Sequence, residues 1–177
     1  MNKKLSMAGL NRPSAEEAKL AQKIPVVVIL DNVRSFHNVG SVFRSADAFS
    51  VGKILLCGFT PAPPHREIHK TALGATETVH WEKHDDTLVI IQMLKKLGYI
   101  IVAVEQAEKT VLLNELKIET DKKYALVFGH EVDGVQQEVI DECDMVIEIP
   151  QRGSKHSLNV SVCAGVVIWE FFKFLKA

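Results

Sequence analysis

The sequence predicts an α/β fold, a mostly parallel sheet flanked by helices, and three observations carry that reading. Short apolar runs alternate with helical patterns along the chain. The run Val26-Val27-Val28-Ile29-Leu30 has no polar alternation, as a strand buried on both faces of a parallel sheet requires. Residues 126–128 and 145–149 are apolar runs followed by Gly or Pro and a polar loop, and a long apolar segment closes the chain. That is the form of a ligand pocket at the carboxyl ends of neighbouring strands, capped by a helix.

Taken in order, residues 10–23 have helical residue types, with Pro13 and Ser14 near the start and Glu16 and Glu17 in the first turn. Pro25 opens the first central strand. Residues 31–37 form a polar loop ending at Asn38, a favoured N-cap, and Val42, Phe43, Ala46 and Phe49 recur at helical spacing over 39–49. Residues 53–57 make a second strand, followed by a loop carrying Pro61, Pro63 and Pro64. Residues 68–75 hold a helical turn and 78–81 a weak strand. Residues 85–97 form an amphipathic helix closed by Gly98, and 99–104 a further buried strand that ends at Glu105 and Gln106. The last helix, 157–176, aligns Leu158, Val162, Gly165, Trp169 and Phe172, and Val166, Phe171 and Phe174 widen the stripe beyond one core face. A homodimer interface and a helix sunk into the monomer both fit that width.

Composition removes several function classes. At 177 residues and 47% apolar content, the chain can bury the core of one domain, with residues 1–24 as a helical extension. Cys57, Cys143 and Cys163 stand singly, so neither a zinc site nor a disulfide framework is expected, and a reducing compartment, the cytoplasm, is. No secretory h-region and no run of membrane-spanning length is present. A net charge of −1 argues against a protein that coats itself in nucleic acid. Basic residues still collect locally, at Arg34, His37 and Arg44, at His65, Arg66, His69 and Lys70, and at Arg152, Lys155 and His156. Gly129 and Gly134 have P-loop spacing, but Val135 and Gln136 stand where Lys and Ser or Thr are needed. No Gly-x-Ser-x-Gly surrounds Ser157, and no metal-ligand spacing occurs.

Three motifs then form a set. Asn38-Val-Gly-Ser-Val-Phe-Arg44, Phe128-Gly-His-Glu131 with Gly134, and Ile149-Pro150 followed by Gly153 and Ser157-Leu-Asn159-Val-Ser161 resemble, in the same order, the three motifs of the SpoU (TrmH-like) RNA 2′-O-ribose methyltransferases. The resemblance spans about residues 26–168. One departure is Val132, where the family often has glycine.

The resemblance implies an S-adenosyl-L-methionine-dependent SPOUT enzyme, residues 25–177 forming one domain of a homodimer, with a C-terminal deep trefoil knot. It puts the adenosyl group, held largely by backbone, near Val104, Glu105, Gly129, Ile149 and Leu158. It makes Arg44, Asn38, Glu131, Ser157 and Asn159 the catalytic set. Arg44 would contact ribose or phosphate, and Asn38 would orient Arg44 or the substrate. Glu131 would pair an arginine or orient the pocket, Ser157 would place substrate or cofactor, and Asn159 would tie its loop. A guanidinium pKa above about 12 makes a bidentate grip on phosphate easier than proton removal for Arg44. From the residues alone, Asn38 and Ser157 also read as helix N-caps and Glu131 as a solvated charge.

Arg34, Arg66, Lys70, Arg152 and Lys155 are the expected RNA contacts. Because only 24 residues precede the first strand, the catalytic dimer itself is expected to read RNA shape and exposed nucleotides. A tRNA loop is the first choice of substrate and ribosomal RNA the second. A catalytically silent RNA- or cofactor-binding module of the same fold is the alternative, opposed by the intact polar set. Neither a metal nor a membrane is expected as a partner.

Overall fold

The first apolar run becomes β1 (Ile24–Asp31) in the computed structural model, which describes residues 2–6 and 12–175. Its side chains divide between two cores. Val26, Val28 and Leu30 pack on one face of the sheet, and Val27 and Ile29 on the other. Full burial of each such side chain stabilises by about 1.5–3 kcal/mol, so positions 26–30 leave no room for a polar residue, and the buried Asp31 comes only at the strand's carboxyl end. Pro25 falls where the register with the next strand shifts, between Ile24 and Val27, and its missing N–H meets an already interrupted ladder.

Six more strands follow: β2 (Val51–Cys57), β3 (Trp81–His84), β4 (Tyr99–Val104), β5 (Val111–Leu112), β6 (Lys123–Phe128) and β7 (Met145–Glu148). They lie in the order β3-β2-β1-β6-β4-β7-β5, and every pairing is parallel. Ahead of the sheet, α1 (Ala15–Leu20) is held by a capping box between Ser14 and Glu17 and buries no residue. One face is covered by α2 (Phe36–Ala48), α3 (Arg66–Ala72), α4 (Ala75–Thr78) and α7 (Val160–Leu175). The other is covered by α5 (Thr87–Lys96) and α6 (Gln137–Asp141).

Several expected boundaries move. The first helix covers Ala15–Leu20 rather than 10–23, and positions 10 and 11 lie outside the described residues. Ser35, not Asn38, caps α2, its hydroxyl accepting the Asn38 N–H at 3.3 Å, so Asn38 sits inside the first turn. The strand expected at 78–81 begins only at Trp81, because Thr78 ends α4 and bonds its hydroxyl to Asp47 at 2.5 Å. The last helix starts at Val160, so Ser157 is a loop residue and not its cap. Position 176 is outside the described residues. Strand β5 and helix α6 were not expected.

Within this chain α7 is buried on one side only. Ala164, Val167, Ile168 and Phe171 enter the core, while Val162, Val166 and Trp169 are exposed, Trp169 by 46%. The reading of a helix sunk into the monomer is therefore wrong for that stripe. Among the described residues no helix is long and apolar enough to cross a membrane.

Close packing of α2 on α3 depends on Gly40. A Cβ there would lie 2.1 Å from Thr71 Oγ1 and 2.4 Å from the Ile68 carbonyl oxygen. Thr71 also donates to the His37 carbonyl at 3.1 Å, tying the same crossing. Gly40→Ala is expected to cost about 1–3 kcal/mol through overpacking. Thermal unfolding would show this as a Tm lowered by several degrees, and an unchanged Tm would refute the packing argument.

Candidate functional site

Three loops leave the carboxyl ends of adjacent strands β6, β4 and β7 and enclose a cavity of about 460 Å³. That is the size of a small-molecule pocket, placed where open parallel sheets bind ligands. Val104, Glu105 and Gln106 come from the end of β4, residues 129–134 from the loop after β6, and Ile149, Ser157, Leu158 and Asn159 from the loop after β7. Phe128, Ile147, Val160 and Cys163 add apolar wall. Burial, with a smaller push from Glu105, raises the Cys163 thiol to about 11, so it stays protonated and acts as apolar lining at neutral pH.

The loop after β6 is tightly folded. His130 and Gly134 exchange two backbone hydrogen bonds, each 2.9 Å, and the His130 Nδ1 accepts the Val132 and Asp133 N–H groups at 3.2 Å. A Cβ on Gly129 would lie 2.1–2.3 Å from the Gly134 carbonyl and the Val135 nitrogen, so only glycine permits this closure. Gly134 has φ +70°, and a Cβ there would also meet Glu105 Oε2. Val132 points its side chain to solvent, 83% exposed, with no positive φ, so valine in place of glycine leaves the turn intact.

Glu105 fixes this loop to β4. Its carboxylate accepts the Val135 N–H at 3.0 Å and the Gln106 N–H at 2.8 Å. Gln106 in turn donates to the His156 carbonyl at 3.0 Å and so joins the loop after β7. Sequence reading put Glu105 at the cavity but could not find Val135 or His156 as partners of this corner, since both belong to loops far along the chain.

The three motifs meet through one chain of hydrogen bonds. Glu131 accepts the Arg34 and Ser35 N–H groups at 2.9 Å each, at the start of α2, and the Asn38 amide at 2.8 Å. Asn38 Oδ1 accepts from Asn159 Nδ2 at 3.1 Å. Asn159 Oδ1 accepts the Ser161 N–H and hydroxyl at 2.9 and 2.7 Å. Asn38 thus works as donor and acceptor at once, which only an amide of that length can do here. Burial would raise the Glu131 pKa, but the bonds from Arg34, Asn38 and Ser35 outweigh it and hold the carboxyl below its ordinary range. Its position before α2 also suits a negative charge at a helix N-terminus.

The structure brings Val104, Glu105, Gly129, Ile149 and Leu158 together in the cavity wall, with Glu131, Ser157 and Asn159 beside them. Ser157 is exposed there and makes no hydrogen bond among the described residues. Arg44 is not brought in. It lies six residues beyond Asn38 on α2, about 120° around the axis, exposed in a separate depression with Lys23, Asp47 and Thr78. Arg34, Arg66, Arg152 and Lys155 are exposed, whereas Lys70 already pairs with Glu67 at 2.7 Å. Among the described residues no three His, Cys, Asp or Glu side chains converge as a metal site needs.

The fold has counterparts among known proteins. The chain is 32% identical over 161 residues to the 23S rRNA (guanosine-2′-O-)-methyltransferase RlmB of Vibrio vulnificus, covering 91% of this chain and 64% of that protein. The AdoMet-bound rRNA methyltransferase of Sinorhizobium meliloti superposes with a TM-score of 0.81 at 28% identity, over 88% of this chain and 59% of its own. The TrmH/SpoU tRNA modifying enzyme of A. aeolicus gives 0.78 at 29% identity, over 90% and 79%. The chain therefore spans less than two thirds of the length of the Vibrio and Sinorhizobium proteins. The sequence profile of the SpoU rRNA Methylase family matches residues 25–169, which hold all three motifs and every strand but the first residue of β1. On that match, the chain belongs to the SpoU rRNA Methylase family.

Proposed function

We propose that the protein transfers a methyl group from S-adenosyl-L-methionine to a ribose 2′-OH of RNA, with tRNA the first substrate class and ribosomal RNA the second. The observation that carries this reading is the Glu131–Asn38–Asn159 chain of hydrogen bonds, which joins all three motifs at the mouth of the cavity. The cavity suits the cofactor's chemistry. Val104, Ile149 and Leu158 offer an apolar bed for a purine, and the loop closed at Gly129 presents backbone groups that a Cβ would displace. When bound, the cofactor supplies an electrophilic methyl group. The chain's own part is alignment: Glu131 fixes the start of α2, Asn38 and Asn159 fix the loop after β7, and Ser157 offers a free hydroxyl to ligand or substrate.

Arg44 belongs to the same proposal through a second copy of the chain. It stands outside its own cavity, next in sequence to Ser45, whose Oγ would lie 3.5 Å from a Cβ added to Gly165 of α7. The uncovered apolar stripe of α7 supports a homodimer in which Arg44 of one protomer serves the cavity of the other. A guanidinium there grips a phosphate or the ribose and does not remove the proton. The trefoil knot is part of this reading, supported by the meeting of the loops after β6 and β7 at one cavity. Three free thiols fit a cytoplasmic setting.

Methyl transfer from labelled S-adenosyl-L-methionine to unmodified tRNA and ribosomal RNA transcripts, with mapping of the product, tests the reaction. Label on a 2′-O-ribose is expected, and label on no RNA would refute it. Mixing Arg44→Ala with Gly129→Ala tests the shared site. Random pairing gives half heterodimers with one intact site each, so about a quarter of parental activity should return. If Arg44 served its own cavity, mixing two inactive variants would restore nothing.

A further inference from the structure

Two rings stack on the surface beside α2. Phe36, its first residue, is 37% exposed, and its ring lies on that of His65 with centroids 3.9 Å apart and planes 25° from parallel. His65 is exposed as well, and its Nδ1 accepts the Glu67 N–H at 3.2 Å, capping α3 and fixing the ring's orientation. A ring pair that served only to lock α2 on α3 would gain most from full burial, yet both of these keep contact with water.

Free cations flank the pair. Arg34 and Arg66 are exposed, and their guanidinium groups have no ion pair or hydrogen bond among the described residues. His37 and Lys70, by contrast, are already engaged by Glu67 at 2.6 and 2.7 Å. The pair is also held in register with the cavity. Glu131, in the cavity wall, binds the Arg34 and Ser35 N–H groups and the Asn38 amide, and Phe36 lies between them in the chain.

We propose that Phe36 and His65 form a stacking platform for the unpaired base of a nucleotide that flanks the methylated one, with Arg34 and Arg66 at the neighbouring phosphates. The inference rests on the RNA-methyltransferase reading. With a net charge of −1 the chain has no overall excess of cations to draw RNA in, and base stacking supplies affinity that does not depend on one. Stacking also suits the setting, because a target nucleotide drawn into a pocket leaves its neighbours unstacked and open to aromatic side chains.

The test is titration of the full chain with a short single-stranded oligoribonucleotide containing 2-aminopurine, whose fluorescence falls when the base stacks. Quenching by the parent is expected. Phe36→Ala should lose it and bind roughly 5- to 150-fold more weakly, the equivalent of 1–3 kcal/mol per stacked base. Phe36→Trp should restore both. His65→Asn keeps a side-chain acceptor for the Glu67 N–H but removes the ring, and should also lose the quenching. Because no phosphate-binding cation is lost in Phe36→Ala, the slope of log Kd against log salt should stay parental, whereas Arg66→Gln should flatten it. S-adenosyl-L-methionine binding should be parental in every variant.

Parental quenching and affinity in both Phe36→Ala and His65→Asn would overturn the platform. If the parent methylates RNA and these variants bind normally, the platform alone falls. If the parent methylates no RNA but quenches through Phe36, the platform holds as an RNA contact and the methyl-transfer reading falls.

Discussion

Gly129→Ala should abolish most cofactor affinity while leaving the fold standing. The added methyl would sit 2.1–2.3 Å from backbone atoms of Gly134 and Val135, and backbone cannot rotate away as a side chain can. Relief requires parting the strand end from residues 134–135, which breaks the two 2.9 Å bonds between His130 and Gly134 and the bond from Val135 to Glu105. Three hydrogen bonds at about 1 kcal/mol each correspond to roughly two orders of magnitude in affinity if the cofactor must restore them on binding. Isothermal titration with S-adenosyl-L-methionine is the measurement. Gly153→Ala is the matched control, because a Cβ there meets nothing within 4 Å although it lies in another of the cavity's loops. Equal affinity for the two variants would remove the close approach at Gly129 from the account of the pocket.

That closure also explains what could be read in the chain and what could not. The core strands were legible because both faces are apolar: the run at residues 26–30 needs no partner to announce itself. Strand β5 was not, since two residues, Val111 and Leu112, carry no period and exist as a strand only through pairing with β7. The start of α2 was misplaced because Phe36 and His37 turn toward solvent and α3 rather than into the core, so the apolar spacing begins only at Val39. At the site, the resemblance named Asn38, Glu131 and Asn159, but not what binds what. Glu131 meets backbone N–H groups 96 and 97 residues away, contacts that no local spacing encodes. Arg44 shows the same limit in reverse, since its motif places it with Asn38 in sequence while helix geometry turns it to another face.

Asn38→Asp should be the most damaging single-atom change in the site, and its stability deficit against the parent should shrink as pH falls. The substituted oxygen would replace the Nδ2 that donates to Glu131 at 2.8 Å, setting two carboxylates face to face at a position only 9% exposed. Loss of a hydrogen bond to a charged group costs about 1.5–3 kcal/mol before the repulsion is added, and Tm should fall by several degrees. In the parent, the Glu131 carboxyl is held below its ordinary value of 4.5, mainly against burial by the bonds from Arg34, Asn38 and Ser35. The unfolded chain therefore binds the proton first as pH falls, so the stabilisation is complete above 4.5 and drains away as pH drops through the lowered folded value. Glu67, held low by Lys70 and His37, and Glu82, held low chiefly by Lys53, titrate in the same direction. Glu131→Gln subtracts them: melting curves between about pH 3 and 7 should show part of the parental acid loss missing in that variant. In Asn38→Asp, acid protonates one member of the facing pair and removes the repulsion, so the gap to the parent should narrow as pH falls. A gap that stays constant across that range would mean that Glu131 and Asn38 are not electrostatically joined, and the link between the first two motifs would have to be sought elsewhere.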